Sequence, residues 1–558
     1  MRACLILVLA MTVLMAWSRA VAGGRAYCPR VTSEHNADTT DLKRFRNFHR
    51  WKDKTGNDLA IAVWQYLSDY ETGIYHFNEI HDGDDPWVEY SHMREPLKML
   101  NVYNMGYCGI FGPTVDGIFN GVGFTKGRSF GLDSWNHCAT EIFYDGKWHY
   151  FDVDVRGALV KADGTVASLE EVRKDLRLWT NPTKKIEPFF PHSARPDKIR
   201  KLGAQYASAN VDYGYRWCQG SHTADWYLRP GESFTRYWAC QDGRWNHRAE
   251  YNKLRWLRNR IKRKPLGMKT NHDNWARYGQ GNGLFHYAPD LTSASKDFRL
   301  GARSSTGLAP GAEGLKLTAS KAEAVFAVFT PFIIVPKVND FDNFDDDTEA
   351  SVVKIDAAVG VKLAVSLDNG LSWTGAGDLS PGKSATDLTQ LVKGRYGYLL
   401  KLTPAGTGKP GELAVRSLTI DTWVQVAATS LPRLKTGTNR LRYDCGDRYD
   451  RPTMPMLVLP NVADPEDLKK YAVKMPADYD PKRNLRRIQG EIIVKLFAPP
   501  GAKISWLSAG ATMFALQGKL APKTDNRIAY ATGEPKDFKQ VYKADVPTWT
   551  QHWRYNYD

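Results

Sequence analysis

The chain predicts an α+β protein, helix-bearing at its N-terminal end and β-rich behind. Three observations carry that expectation. Ile61, Trp64 and Leu67 recur at helical spacing, and Ile110, Phe111, Val115, Ile118 and Phe119 outline a second apolar face. The runs His137 to Tyr144 and Lys147 to Phe151 flank Asp145-Gly146, the dipeptide of a two-residue hairpin. From Ala204 onward, short strand-like runs punctuated by Gly and Pro replace the helical periods.

Taken in order, the chain opens with a targeting segment. Arg2, the apolar run Leu5 to Trp17 and the small-residue site Ala20-Val21-Ala22 predict a signal peptide over residues 1–22. The apolar run is too short to span a bilayer, so a secreted or periplasmic protein without a membrane span is expected. Asn57 is placed to cap the first helix, which should end near Thr72-Gly73. Ile74 to Pro86 reads as a solvated loop despite His76, His81 and Asp82-Gly83-Asp84-Asp85. Gly106 and Gly109 bracket Cys108 as in a sharp turn opening a helix, and Pro113 requires that helix to have only just begun. The helix N-terminus favours thiolate over thiol at Cys108.

Pairing Tyr144 with Lys147 across the hairpin sets position 137 opposite 154 and 139 opposite 152. His137 then faces Asp154 directly and Asp152 diagonally on one side of the sheet. Spacing alone nominates both carboxylates. Cys138 points to the opposite face and reads as core, and His149 alternates away from the site. A short helix is expected over Ser168 to Asp175, and the Pro-rich run Thr180 to Pro191 reads as a domain end.

The 558 residues exceed one core. The expected division is a first folded domain over 23–200, a β-rich domain over 201–323, a β-sandwich over 324–450 and a last β-domain over 451–558. Strands are expected at Ala324 to Val335, Val352 to Leu367, Gly490 to Phe497 and Lys503 to Leu507. Ser366-Leu367-Asp368-Asn369-Gly370-Leu371-Ser372-Trp373 has the S-x-D-x-G-x-x-W form of an Asp-box, a hairpin lock without catalytic meaning.

The seven cysteines are too sparse for a disulfide scaffold, although Cys218 and Cys240 flank an expected hairpin and could pair. No CxxC or His/Cys cluster suggests zinc, and Asp340 to Asp347 follows no EF-hand order, so no metal or cofactor is expected. The formal charge of +15 suits acidic polymers rather than any specific nucleic acid, and the basic stretch Glu250 to Lys264 reads by default as a solvated face, with a polyanion contact as the sharper alternative.

A Cys, a His 29 residues on and an Asp 15 further form the ingredients of an activated thiolate. These residues resemble the transglutaminase-like superfamily, which includes transglutaminases, bacterial cysteine proteases and peptide:N-glycanases. The motifs are Gly106-Tyr107-Cys108, His137 with Glu141, and Trp148 followed by Asp152; they cover about Asn57 to Asp154. The resemblance implies a papain-like fold and a catalytic triad of Cys108, His137 and Asp152. The usual Asp-Pro is here Asp152-Val153-Asp154, which leaves Asp154 as the rival carboxylate. The implied activity is acyl transfer or hydrolysis of an amide in a protein, peptide or glycopeptide, through a thioester. The Cys108 N–H is the candidate oxyanion donor, with Tyr103, Asn104 or Trp87 as candidates for the second. The 18 Trp, the β-modules and the charge motivate an alternative, a glycan-binding or carbohydrate-active secreted protein acting on acidic polysaccharide.

Overall fold

The computed structural model describes residues 26–69, 73–76, 94–106, 108–133, 137–155, 157–187, 196–213, 222–238, 241, 244, 281–337, 346–405 and 409–445, with shorter pieces between 465 and 557. Over these the protein mixes helices with many β-sheets. The signal segment, Cys218 and Cys240, the basic stretch, His81 with the Asp82–Asp85 run, and Asp340–Asp345 lie outside the described residues.

Helix α1 spans Gly56–Ser68 and buries Leu59, Ala60, Val63, Trp64 and Leu67. Its N-cap is Thr55, not Asn57. Asn57 instead ties α1 to the hairpin region: its amide donates to Gly164 O, and its Oδ1 accepts from Tyr144 Oη and Val166 N. Those tertiary partners satisfy the side chain better than an isolated first turn would. The helix stops at Ser68, earlier than Thr72-Gly73.

Helix α2, Cys108–Gly121, packs on an antiparallel sheet of four strands: β1 Gly127–Leu132, β2 His137–Tyr144, β3 Lys147–Phe151 and β4 Val211–Asp212, in the order β3-β2-β1-β4. The β2–β3 register runs from Tyr144↔Lys147 to Thr140↔Phe151, as the Asp145-Gly146 turn requires. Both turn residues have positive φ, 48° and 74°, the geometry that makes Asp-Gly the favoured pair there. Helix α3, Leu169–Lys174, starts in a capping box formed by Ser168 and Glu171. Helix α4, Pro196–Ser208, returns to the sheet and buries Tyr206 beside Trp179.

Behind this lobe stand two larger sheets. One joins seven strands around the 13-residue strand Leu413–Gln425, and draws on both Gly281–Tyr287 and Ser351–Ala357. The other joins five strands around Glu323–Phe329, Gly397–Pro404 and Val361–Ser366. They meet where Tyr287 packs on Phe326 and where Ser351 Oγ bonds Tyr398 Oη at 2.7 Å. The run Val352 to Leu367 is two strands rather than one, broken at residues 358–360, where Ala358 N–H leaves the ladder for Ala414 O. The Asp-box forms as expected: Asp368 Oδ1 accepts from Ser366 Oγ and Ser372 N–H, both at 2.8 Å. Asp347 pairs with Lys393 at 3.3 Å. Described C-terminal strands include Ile493–Val494 and Leu507–Ala509, each in a two-stranded pair. No helix among the described residues is long and apolar enough to cross a membrane.

Candidate active site

Cys108 is the first residue of α2, half-buried at its N-terminus. Three devices set its position. A π-helical turn over Met99–Tyr103 closes at Asn104, whose left-handed backbone (φ 47°) lets its N–H reach Met99 O at 2.7 Å. The short parallel pair of Tyr75–His76 with Met105–Gly106 then delivers the chain to the helix. The end of the long strand of the seven-stranded sheet grips the turn from outside. Gln425 Nε2 donates to Val102 O, Ala427 N–H to Asn101 O and Thr429 Oγ1 to Leu100 O, at 2.7, 2.8 and 2.5 Å.

Pro113 lies beyond the first turn, contrary to the expectation, and removes the N–H that would pair with Gly109 O. Arg94 Nε supplies the missing donor, 3.1 Å from Gly109 O and buried. Thr114 bonds back to Ile110 O at 2.8 Å. A proline one turn from the nucleophile is thus accommodated by a buried guanidinium.

His137 opens β2 and is 4% exposed. Extending the hairpin register would set it against Asp154, but β3 ends at Phe151. Asp152 instead exchanges two 2.8 Å backbone bonds with Gly157, and its carbonyl also accepts Trp64 Nε1 at 2.9 Å. Where the ladder breaks, the Asp152 carboxylate meets the imidazole, with Oδ2 2.5 Å from Nε2. Asp154 Oδ2 stands 3.7 Å from Nδ1. Both nominated carboxylates therefore flank His137, and only Asp152 hydrogen-bonds it.

Asp152 is held on every side. Oδ1 accepts from the N–H groups of Asp154 and Val155 at 2.8 and 2.9 Å. Oδ2 is reached by Tyr150 Oη and Tyr206 Oη at 3.1 and 3.0 Å, and the two phenols lie 2.8 Å apart. Burial pushes the Asp152 pKa up, but His137, the Val155 amide and Tyr206 outweigh it, so the carboxyl stays below its ordinary 3.8. For His137 burial pulls down, while Asp152, Cys108 and Asp154 together raise its pKa well above 6.5. The tyrosines are pushed well above 10, first by burial and then by their neighbours, so both remain neutral donors.

Cys108 Sγ, a ring nitrogen of His137 and a carboxylate oxygen of Asp154 all lie within 4.8 Å of one another. With Nε2 committed to Asp152, Nδ1 is the nitrogen left for the thiol. The same three donors are the one such group among the described residues that could hold a metal ion. Chemically, the arrangement can carry a proton from sulfur to imidazole and stabilise the resulting cation.

Cys138 is buried against Gly112, and His149 is turned to Val166 O at 2.6 Å, so neither enters the site. Glu141 braces Arg128 at 2.7 Å and the N–H of Leu169 at 2.8 Å. Tyr150 lies on β3 two residues before Asp152; the sequence reading missed it, although period-two alternation is the signal that points to it. Tyr206, Trp64 and Arg94 come from distant segments and left no local signal. Among the candidate second oxyanion donors, Asn104 turns its Oδ1 to Ala428 N–H at 3.4 Å, Tyr103 is buried, and Trp87 lies outside the described residues.

The sequence matches no known protein-family model, and no curated protein matches it significantly.

Proposed function

We propose that this chain is an exported cysteine enzyme of transglutaminase-like type that transfers or hydrolyses acyl groups through a thioester at Cys108. The observation that carries this reading is the polarity of His137: Asp152 takes Nε2 at 2.5 Å, which orients Nδ1 for the sulfur. The helix start at Cys108 followed by the hairpin bearing His137 and Asp152 supports the papain-like arrangement that the motifs imply.

The steps follow from those positions. Cys108 gives its proton to His137 Nδ1, and the thiolate attacks the carbonyl carbon of an amide. The oxyanion forms beside the first-turn amides of α2, which have no intrahelical partners. As the C–N bond breaks, the imidazolium returns the proton to the leaving amine, leaving a thioester. Water or a second amine then attacks the thioester while His137 accepts its proton, and the thiol leaves as the acid or new amide forms. Throughout, Asp152 keeps the ring in one tautomer and offsets its charge.

The test is intact-mass trapping with a library of peptide and glycopeptide acyl donors, run beside iodoacetamide labelling at pH 6. An acyl adduct on the wild type that is lost in Cys108→Ala, with labelling of Cys108 faster than of free cysteine, is expected. No adduct and slow labelling would remove the enzyme reading.

A further inference from the structure

A small cavity of about 20 Å3 lies where the segment leading to the first helix meets the larger sheet and the π-helical turn. That is room for about one solvent-sized guest. Its lining includes Arg30, Asp38, Thr40, Asn101, Arg236 and Ser430. Two arginines therefore border one small, partly open space.

Neither is fully answered by the protein. Arg236 bonds the carbonyl and, at 3.0 Å, the hydroxyl of Ser430, but its buried Nε has no acceptor among the described residues. Burial pulls its pKa down to about 10, and no carboxylate among the described residues offsets that desolvation. Arg30 Nε is also buried without a hydrogen bond. The nearby Asp38 has Oδ2 3.5 Å away, while its Oδ1 is engaged by Thr40 N–H and Oγ1 at 3.0 and 2.5 Å. Asn101 offers nothing to the cavity, since its Oδ1 accepts from Thr39 and its amide donates to Thr39 O and Leu97 O. Among the described lining residues two cations face one carboxylate, which already pairs with Arg30, so a net positive charge remains at Arg236, and a largely buried charge without a counterion is disfavoured.

We propose that this cavity binds a single monoatomic anion, a halide such as chloride, between Arg30 and Arg236. A neutral water fills the volume but leaves the charge, whereas one monoatomic anion suits a space of about 20 Å3 and offsets it. The site is independent of the Cys108 chemistry. It joins residues 30–40, the turn at Asn101, the strand end at Arg236 and the 3-10 turn at Ser430, so the anion acts on the stability of that junction.

The experiment is thermal unfolding of the full chain at constant ionic strength, exchanging gluconate for chloride or bromide. A saturable rise in Tm of a few degrees or more is expected for both halides, following the mass-action law for a ligand bound only by the folded state. Arg236→Met should abolish the rise, and Arg30→Gln should weaken it at least tenfold in halide concentration. A bromide-soaked crystal should show one anomalous peak between the two Nε atoms. Equal melting in all three salts, halide dependence retained in Arg236→Met, or a water in place of the bromide peak would overturn the proposal. Should Arg236→Met fail to fold, Arg30→Gln and the bromide peak decide it.

Discussion

Asp152→Asn changes one atom and, on this geometry, reverses the imidazole. Oδ1 accepts from two backbone N–H groups, at 2.8 and 2.9 Å, which cannot turn round. The carboxamide oxygen must therefore stay there, and the NH2 takes the place of Oδ2, 2.5 Å from His137 Nε2. A donor now faces Nε2, so the ring presents its lone pair on that side and carries its proton on Nδ1. That nitrogen can no longer accept from Cys108. In serine-protease triads the equivalent substitution lowers kcat about 10⁴-fold through the same wrong tautomer. We expect a fall of about 10²–10⁴ in acyl transfer here. Removing one member of a buried ion pair should also cost roughly 3–5 kcal/mol, so rates must be read well below the lowered Tm. Asp154→Asn, whose Oδ2 stands farther off at 3.7 Å from Nδ1, should cost less than tenfold. Cys108 alkylation and single-turnover acylation of both variants, with circular dichroism as the folding control, provide the assay. If Asp154→Asn is the more damaging, or Asp152→Asn acylates at the wild-type rate, the tautomer argument fails and Asp154 becomes the triad carboxylate.

Further expectations concern the surroundings. Arg94→Met leaves the Gly109 carbonyl below Pro113 unanswered; a loss of about 1.5–3 kcal/mol and slower Cys108 labelling should follow, and unchanged melting would show that the proline needs no such support. The His137 pKa is raised above 6.5 on folding, so its charge stabilises the fold fully below about pH 6.5, and that contribution fades as pH climbs through the folded value. The stability gap between wild type and His137→Gln should therefore narrow from pH 6 towards alkaline pH in denaturant titrations; a gap that is flat or widens there contradicts the ion pair. Asp368→Ala removes the centre of the Asp-box and should lower stability by about 1–3 kcal/mol with Cys108 labelling intact, whereas lost labelling would give the box a functional role.

Much of the site is legible in the chain because its parts are local. A Gly-flanked Cys at a helix start, an Asp-Gly turn and alternation along two short strands place Cys108, His137 and the two aspartates by backbone geometry alone. The choice between Asp152 and Asp154 is different. It depends on where the β2–β3 ladder breaks, and that break is made by Gly157 and Trp64, neither of which belongs to the hairpin. The same holds for the tyrosine pair, since Tyr206 arrives on a helix about 50 residues further on, and for Arg94 beneath Pro113.

By itself the sequence determines the periodicities, the hairpin register and the kinds of side chain that can share one face. Only the tertiary structure decides which carboxylate reaches the imidazole and that the long β-strand ending at Gln425 steadies the turn bearing the nucleophile. The physical reason is range. Turn chemistry and alternation act over a few residues, whereas hydrogen bonds such as Gln425 to Val102 span 323 positions and exist only after the chain has closed on itself.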